Sequence, residues 1–117
     1  MATAALSSGQ HGVPSIGGFD SMALMTITPG TTATAGENVD FTSYFSTVDA
    51  IVYCGADDAA TAKYVPAFSF TPGAATTSSS VKFYMLVQDG AAGVLEPDNG
   101  TDLSASTIQV IVYGKRA

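Results

Sequence analysis

Residues 81–88 read VKFYMLVQ. Val81, Phe83, Met85 and Val87 fall on one side of an extended chain, and Lys82, Tyr84, Leu86 and Gln88 on the other. A period of two over eight residues is the pattern of a half-buried β-strand, and a helix of period 3.6 would scatter it. On either side stand turn signals: TPGAATTSSS (71–80) before it and DGAAG (89–93) after it, where Asp-Gly favours a tight reversal. The stretch therefore predicts a strand bounded by turns, and the rest of the chain repeats that theme.

At the C-terminal end, TIQVIVYG (107–114) alternates in the same way, with Ile108, Val110 and Val112 set against Gln109, Ile111 and Tyr113. Val94 and Leu95 predict a short strand between the two. Upstream, KYVPAFSF (63–70) puts Tyr64, Pro66, Phe68 and Phe70 on one face. Pro66 lacks a backbone N–H, so this strand belongs at an edge or a bulge. DAIVYCG (49–55) is a further strand, with Ile51 and Tyr53 facing one way and Val52 and Cys54 the other. FDSMALMTIT (19–28) is apolar on both faces: Met22 and Leu24 on one, Ala23, Met25 and Ile27 on the other. Such a strand should be central in its sheet or covered twice. SYFSTV (43–48) reads as a single helical turn or as a bend carrying Tyr44 and Phe45 inward.

No stretch sustains a helical period, and the connections are too short for parallel crossovers. The expected fold is all-β, an antiparallel β-sandwich or β-barrel of about six to eight strands. The 117 residues suit one domain over 19–117. Residues 1–18 are small and polar and cannot build a core. They read as an extended N-terminal arm, flexible when free and ordered against a neighbour; the alternative is a short β-addition to the main sheet. The segment lacks the basic and long apolar regions of a secretory signal, and no apolar run is long enough for a transmembrane helix, so synthesis in a cytosol is expected.

Composition narrows the function classes. Charged residues are only 12% of the chain, about half the usual share. Much of the surface must be built from Thr, Ser, Ala and Gly, which offers little resistance to contact with a partner. Net charge is −6, with ten acids against four Lys plus Arg. Lys63, Lys82, Lys115 and Arg116 cannot assemble a phosphate-neutralising surface, so neither nucleic acid nor an anionic membrane is an expected partner.

Catalysis finds few candidates. Phosphate-loop, dinucleotide, zinc-protease and nucleophile-elbow motifs are all missing. The single histidine, His11, sits in the arm without a partner. The single cysteine, Cys54, can form no disulfide within the chain and reads as a small buried apolar residue. Asp57 and Asp58 are adjacent in a loop and point apart if extended. Glu96, Asp98, Asn99 and Asp102 supply hard oxygen ligands within seven residues. However, an EF-hand spacing fails, since its twelfth position counted from Asp98 is Gln109 rather than Glu. Each residue has a turn role instead. Asn99-Gly100 supplies positive-φ positions, and the Asp102 carboxylate can accept from backbone N–H groups at Ser104 or Ala105. Asp98, Asn99, Gly100 and Asp102 are thus expected to form a structural turn, with no cofactor and no metal. The chain has no Trp, five Tyr and six Phe; Tyr64 and Tyr84 are the aromatic candidates for a carbohydrate platform.

One resemblance bears on function. The strand-turn AFSFTPGAATTSS, the strand VKFYMLV and the ending GTDLSASTIQVIVYGK together resemble small virion proteins of tailed bacteriophages, the head decoration (cement) or minor capsid proteins. Such proteins often end in Gly-Thr-Asp-Leu-Ser-Ala, one residue, Thr and then an alternating strand closed by Gly. Here these are Gly100 to Ala105, Thr107, the Ile108, Val110 and Val112 alternation, and Gly114. AGENVDFTSYFSTVDAIVYCG (35–55) is similar to their first half. The resemblance covers 19–115 loosely and 100–115 well. It departs before the middle strand, where relatives often carry Asp-x-x-x-Gly-Lys and this chain has Ser79-Ser80-Val81-Lys82.

The resemblance implies a structural role without catalysis: a virion protein on the capsid surface that binds the major capsid protein as a homo-oligomer, with a trimer favoured. On that reading the arm anchors through Val13, Pro14, Ile16 and Phe19. The alternative is a receptor- or carbohydrate-binding β-sandwich module of a phage fibre or tail.

Overall fold

The computed structural model describes residues 1–7, 15–16, 20–57, 61, 63–88 and 95–117, and side chains for all of these except 15, 16 and 20. They form nine strands: β1 (Thr3–Leu6), β2 (Ser15–Ile16), β3 (Asp20–Thr28), β4 (Glu37–Val39), β5 (Phe45–Ala56), β6 (Val65–Ser69), β7 (Val81–Gln88), β8 (Leu95–Pro97) and β9 (Ile108–Arg116). One sheet runs β1-β3-β9-β5, with β2 also on β3; the other runs β4-β7-β6, with β8 also on β7. Every strand ladder is antiparallel. The fold is an all-β sandwich of two sheets.

The alternating residues of the sequence make the core. Ala23, Met25 and Ile27 of β3 and Ile108, Val110 and Val112 of β9 are buried against Val81, Phe83 and Met85 of β7. The Phe68 and Phe83 rings meet at 5.2 Å between centroids. Between the sheets, Phe41 enters from the segment ahead of β5 and Phe45 from its first position. That segment is a single hydrogen-bonded turn: the N–H groups of Tyr44 and Phe45 both donate to the Phe41 carbonyl, three and four residues back as in one turn of helix. Pro66 lies on β6, which is an edge strand as its missing N–H requires.

Strand β3 is central, between β1 and β9, but it is not covered twice. Among the described residues its Met22 and Leu24 face is open, at 38% and 40% exposure. The strand is therefore apolar on a face that the sandwich itself does not need.

Within 1–18, the described residues are paired rather than free. Thr3–Leu6 pair with Met25–Thr28, and Ser15 and Ile16 pair with Ser21 and Asp20. Ala2 is buried, donates its N–H to the Asn38 carbonyl and bridges to Val39 of the opposite sheet. These residues follow the alternative of strand addition. The physical reason is that the side of β3 away from β9 carries backbone groups needing partners, while Ala4 and Leu6 add apolar surface to the core. Val13, Pro14, Phe19 and His11 lie outside the described residues, and Ile16 is placed only by its backbone in β2.

Strand β5 carries irregularities between Phe45 and Thr47, Val48 and Ala50, and Tyr53 and Gly55. Gly114 of β9 lies opposite Val48 between the first two. A Cβ there would run into the Thr47 carbonyl oxygen and come within 3.1 Å of the Val48 Cα. The glycine is what lets the bulged strand close on β9.

Candidate functional site

The acidic segment 98–106 does not stand free. It is laced to the loop at 30–34 on the far side of the sequence. The Asp98 N–H donates to the Met85 carbonyl at 2.8 Å and so continues the β8–β7 ladder. Gly100 donates to the Thr32 carbonyl at 2.7 Å, Thr32 donates back to the Thr101 carbonyl at 2.8 Å, and Leu103 donates to Gly30 at 3.1 Å. Thr31 and Asp102 form an isolated antiparallel bridge.

Buried Thr32 is the hub of this lacing. Its hydroxyl accepts the Thr101 N–H at 2.8 Å and donates to Asp98 Oδ2 at 2.7 Å. Hydrogen bonds from the Thr101 and Thr32 side chains hold the Asp98 carboxyl below its ordinary range. Asn99 Oδ1 accepts the Thr34 N–H at 3.4 Å. Asp102 Oδ1 accepts the Ser104 N–H at 2.9 Å, and hydrogen bonds from Ser104 lower its pKa.

Each of the four residues thus has a fastening role. One detail differs from the sequence reading: only Gly100 has positive φ, at 84°, and Asn99 does not share the turn's left-handed geometry. Asn99 serves through its side chain instead. Sequence reasoning missed Thr32, which lies 66 residues from Asp98 in a run of Thr and Ala with no local signature.

Among the described residues, no group of three or more His, Cys, Asp or Glu converges to hold a metal ion. Asp98 Oδ2 and Asp102 Oδ1 each accept a hydrogen bond within this lacing. A cavity of about 170 Å³ lies under the 71–76 turn, lined by Val48, Phe70, Thr71, Thr76, Ser80 and Val81. It holds hydroxyls and apolar groups and no ionisable side chain, so it offers a general acid or base no place.

The other sequence candidates fall differently. Tyr64 is buried at 6% exposure and cannot serve as a carbohydrate platform. Tyr84 is half-buried, with its ring beside Gly36. Asp57 is tied into the fold: its N–H donates to the Thr107 carbonyl and its Oδ1 accepts the Thr107 N–H at 2.9 Å. Asp58 lies outside the described residues. Cys54 is exposed rather than buried. Alternation sets it on the side of β5 that Val52 exposes, opposite to Ile51, which packs on the core.

A second cavity, of about 290 Å³, is lined by Met1, Ala2, Thr3, Ala4, Asp40, Ser43 and Tyr44. The larger sheet also presents a surface. On the outer side of the larger sheet, Met22 pairs with Tyr113 and Leu24 with Ile111; Tyr113 and Ile111 pair in turn with Ala50 and Val52 of β5. The result is two cross-strand rows of uncharged side chains. Val52, Leu24 and Met22 are exposed at 48%, 40% and 38%, and Ile111 and Tyr113 are half-buried between them. Beyond the rows, a polar cluster closes the face: the Ser7 and Thr26 hydroxyls donate to Gln109 Oε1 at 2.7 and 3.1 Å. Exposed apolar side chains grouped on one face are a feature shared with protein contact surfaces.

Comparison with family models, with curated proteins and with solved structures returned no match to this chain.

Proposed function

We propose that this chain is a structural virion protein of a tailed bacteriophage, a decoration (cement) protein that binds the major capsid protein and stabilises the head lattice, and that it is not an enzyme. The observation that carries the reading is the pair of uncharged rows on the outer side of the β3-β9-β5 sheet, with Met22, Leu24 and Val52 exposed on a domain whose core is complete without them. The Gly100–Gly114 resemblance supplies the class of partner. A chain with so few charges meets little desolvation cost when such a face is covered. Many copies, each with modest contacts, clamp neighbouring capsomers by avidity. Assembly as a trimer and anchoring by Val13, Pro14, Ile16 and Phe19 belong to the same proposal. The carbohydrate-binding alternative loses Tyr64 to the core.

The test is co-sedimentation with assembled capsids of the encoding phage. The parent chain is expected to pellet at a fixed ratio to capsid protein. Leu24→Asp should abolish pelleting while leaving the melting temperature within a few degrees. A triple Val13→Ala, Ile16→Ala, Phe19→Ala variant should weaken it. Deleting residues 1–15 is a poor test, because it removes β1 and buried Ala2. Undiminished pelleting of Leu24→Asp, or glycan binding with no capsid binding, would overturn the proposal.

A further inference from the structure

The edges of the two sheets are not equally protected. Strand β6 carries Pro66, β8 is three residues with Glu96 and Pro97, and β4 and β1 are three and four residues long. The first half of β5 is covered by the 73–76 turn: Gly73 donates to the Val48 carbonyl at 3.0 Å and Thr76 to the Ser46 carbonyl at 2.8 Å. Past Val48 the edge changes character. Among the described residues nothing pairs with the outer side of Ala50–Ala56, AIVYCGA, and Val52, Tyr53 and Cys54 are all exposed. No Lys, Arg or Pro guards this window, and its one edge device is the irregularity between Tyr53 and Gly55.

We infer that the 50–56 edge of β5 is a strand-addition site for an extended apolar segment flanked by basic residues. Backbone groups of an unpaired edge supply the affinity in this mode, and side chains set the specificity. Charge decides the kind of segment. The window is uncharged, but exposed Asp49 stands at one end and exposed Asp57 at the other, the latter with its Oδ1 already accepting the Thr107 N–H, so Asp49 is the freer of the two charges. A second copy is a poor occupant. Antiparallel self-pairing across the whole window centres on Tyr53 and sets Asp49 against Asp57 of the copy, twice. Like charges directly opposite are destabilising, whereas Lys or Arg at both ends of the incoming strand makes two favourable pairs. The inference rests on the edge alone and does not require that the partner be a capsid protein.

Cys54 is the only cysteine of the chain and is exposed on this edge, so it reports occupancy. The test uses the full chain and two synthetic peptides of alternating valine and threonine, one capped with lysine at both ends and one with glutamate. The lysine peptide is expected to bind saturably, weaken as salt rises, and slow alkylation of Cys54 at least tenfold. The glutamate peptide should bind at least tenfold more weakly, and Asp49→Lys should reverse or erase the difference. Equal binding of both peptides, no saturable protection of Cys54 on the folded chain, or a concentration-dependent dimer that itself protects Cys54 would each overturn the inference.

Discussion

The Thr32 hydroxyl donates a 2.7 Å hydrogen bond to the Asp98 carboxylate, and at the same oxygen accepts the Thr101 N–H at 2.8 Å. One buried side-chain atom therefore fastens the turn after β8 to the loop after β3. Thr32→Val keeps the shape and removes both interactions. It leaves the Thr101 N–H without that acceptor and the Asp98 carboxylate without that donor. A bond to a charged group contributes about 1.5–3 kcal/mol, and an unsatisfied buried donor adds to the loss. The expected cost is about 2–3 kcal/mol in a urea melt, with the slope against denaturant unchanged. A loss below about 0.5 kcal/mol would show that the lacing is held by its backbone bonds alone.

Acid should loosen the same region. Hydrogen bonds from the Thr101 and Thr32 side chains lower the Asp98 pKa, and the Thr42 hydroxyl and N–H do the same for Asp40 at 2.6 and 2.9 Å. A carboxyl whose folded pKa lies below its unfolded value of roughly 3.9 contributes fully above that value. The contribution is lost as pH falls through the folded pKa, because the unfolded chain then binds the proton first. The melting temperature should therefore hold level down to about pH 5 and fall below about pH 4. Asp98→Asn should flatten part of that fall, which separates this group from the general loss of negative charge. An identical acid limb in the two proteins would contradict the assignment.

Much of this architecture is legible in the sequence because period-two alternation is a local signal. Val81 to Met85 and Ile108 to Val112 declare their buried face within five residues. Pro66 declares an edge, and the double-sided apolar run at 22–27 declares a central strand. Long-range facts are not written locally. Nothing around Thr32 announces that it will meet Asp98, and nothing in TAAL (3–6) distinguishes an arm from a strand added to β3. Cys54 misleads for a related reason. Alternation groups it with Val52, but which of the two faces of β5 meets the core is decided by how the sheets pack, and the core takes the Ile51 side. The turn role of Asp98, Asn99, Gly100 and Asp102 can be read from residue type, whereas the loop they fasten to cannot.

The two faces of β3 give a paired prediction. Met25 is fully buried and Met22 is 38% exposed, three residues away on the same strand. Met25→Ala removes packed core volume and should cost about 2–5 kcal/mol. Met22→Ala touches only the outer face and should stay within about 0.5 kcal/mol. Chemical denaturation of the two variants checks this directly. A large loss at Met22 would mean that the outer face is packed against something in the isolated protein, and would count against its being a surface for a partner.

Gly114 offers the sharpest steric test. Its φ is not in the left-handed region, so conformational freedom is not the reason for glycine here. The reason is space: a methyl group would collide with the Thr47 carbonyl oxygen and crowd the Val48 Cα. Both obstacles are backbone, pinned by their own bonds. Lys115 donates its N–H to the Thr47 hydroxyl at 3.1 Å, and the Val48 carbonyl accepts from Gly73. A side chain could rotate away from an added methyl, but this backbone can yield only by moving β5 off β9. Overpacking ordinarily costs about 1–3 kcal/mol, and the rigid obstacle puts Gly114→Ala at or above the top of that range. Conformational relief cannot help, since alanine is otherwise preferred to glycine in a strand. The variant should melt far below the parent and lose hydrogen-exchange protection first along the β5–β9 ladder. A melting temperature within a degree or two of the parent would show that the bulge at Thr47 has room to relax.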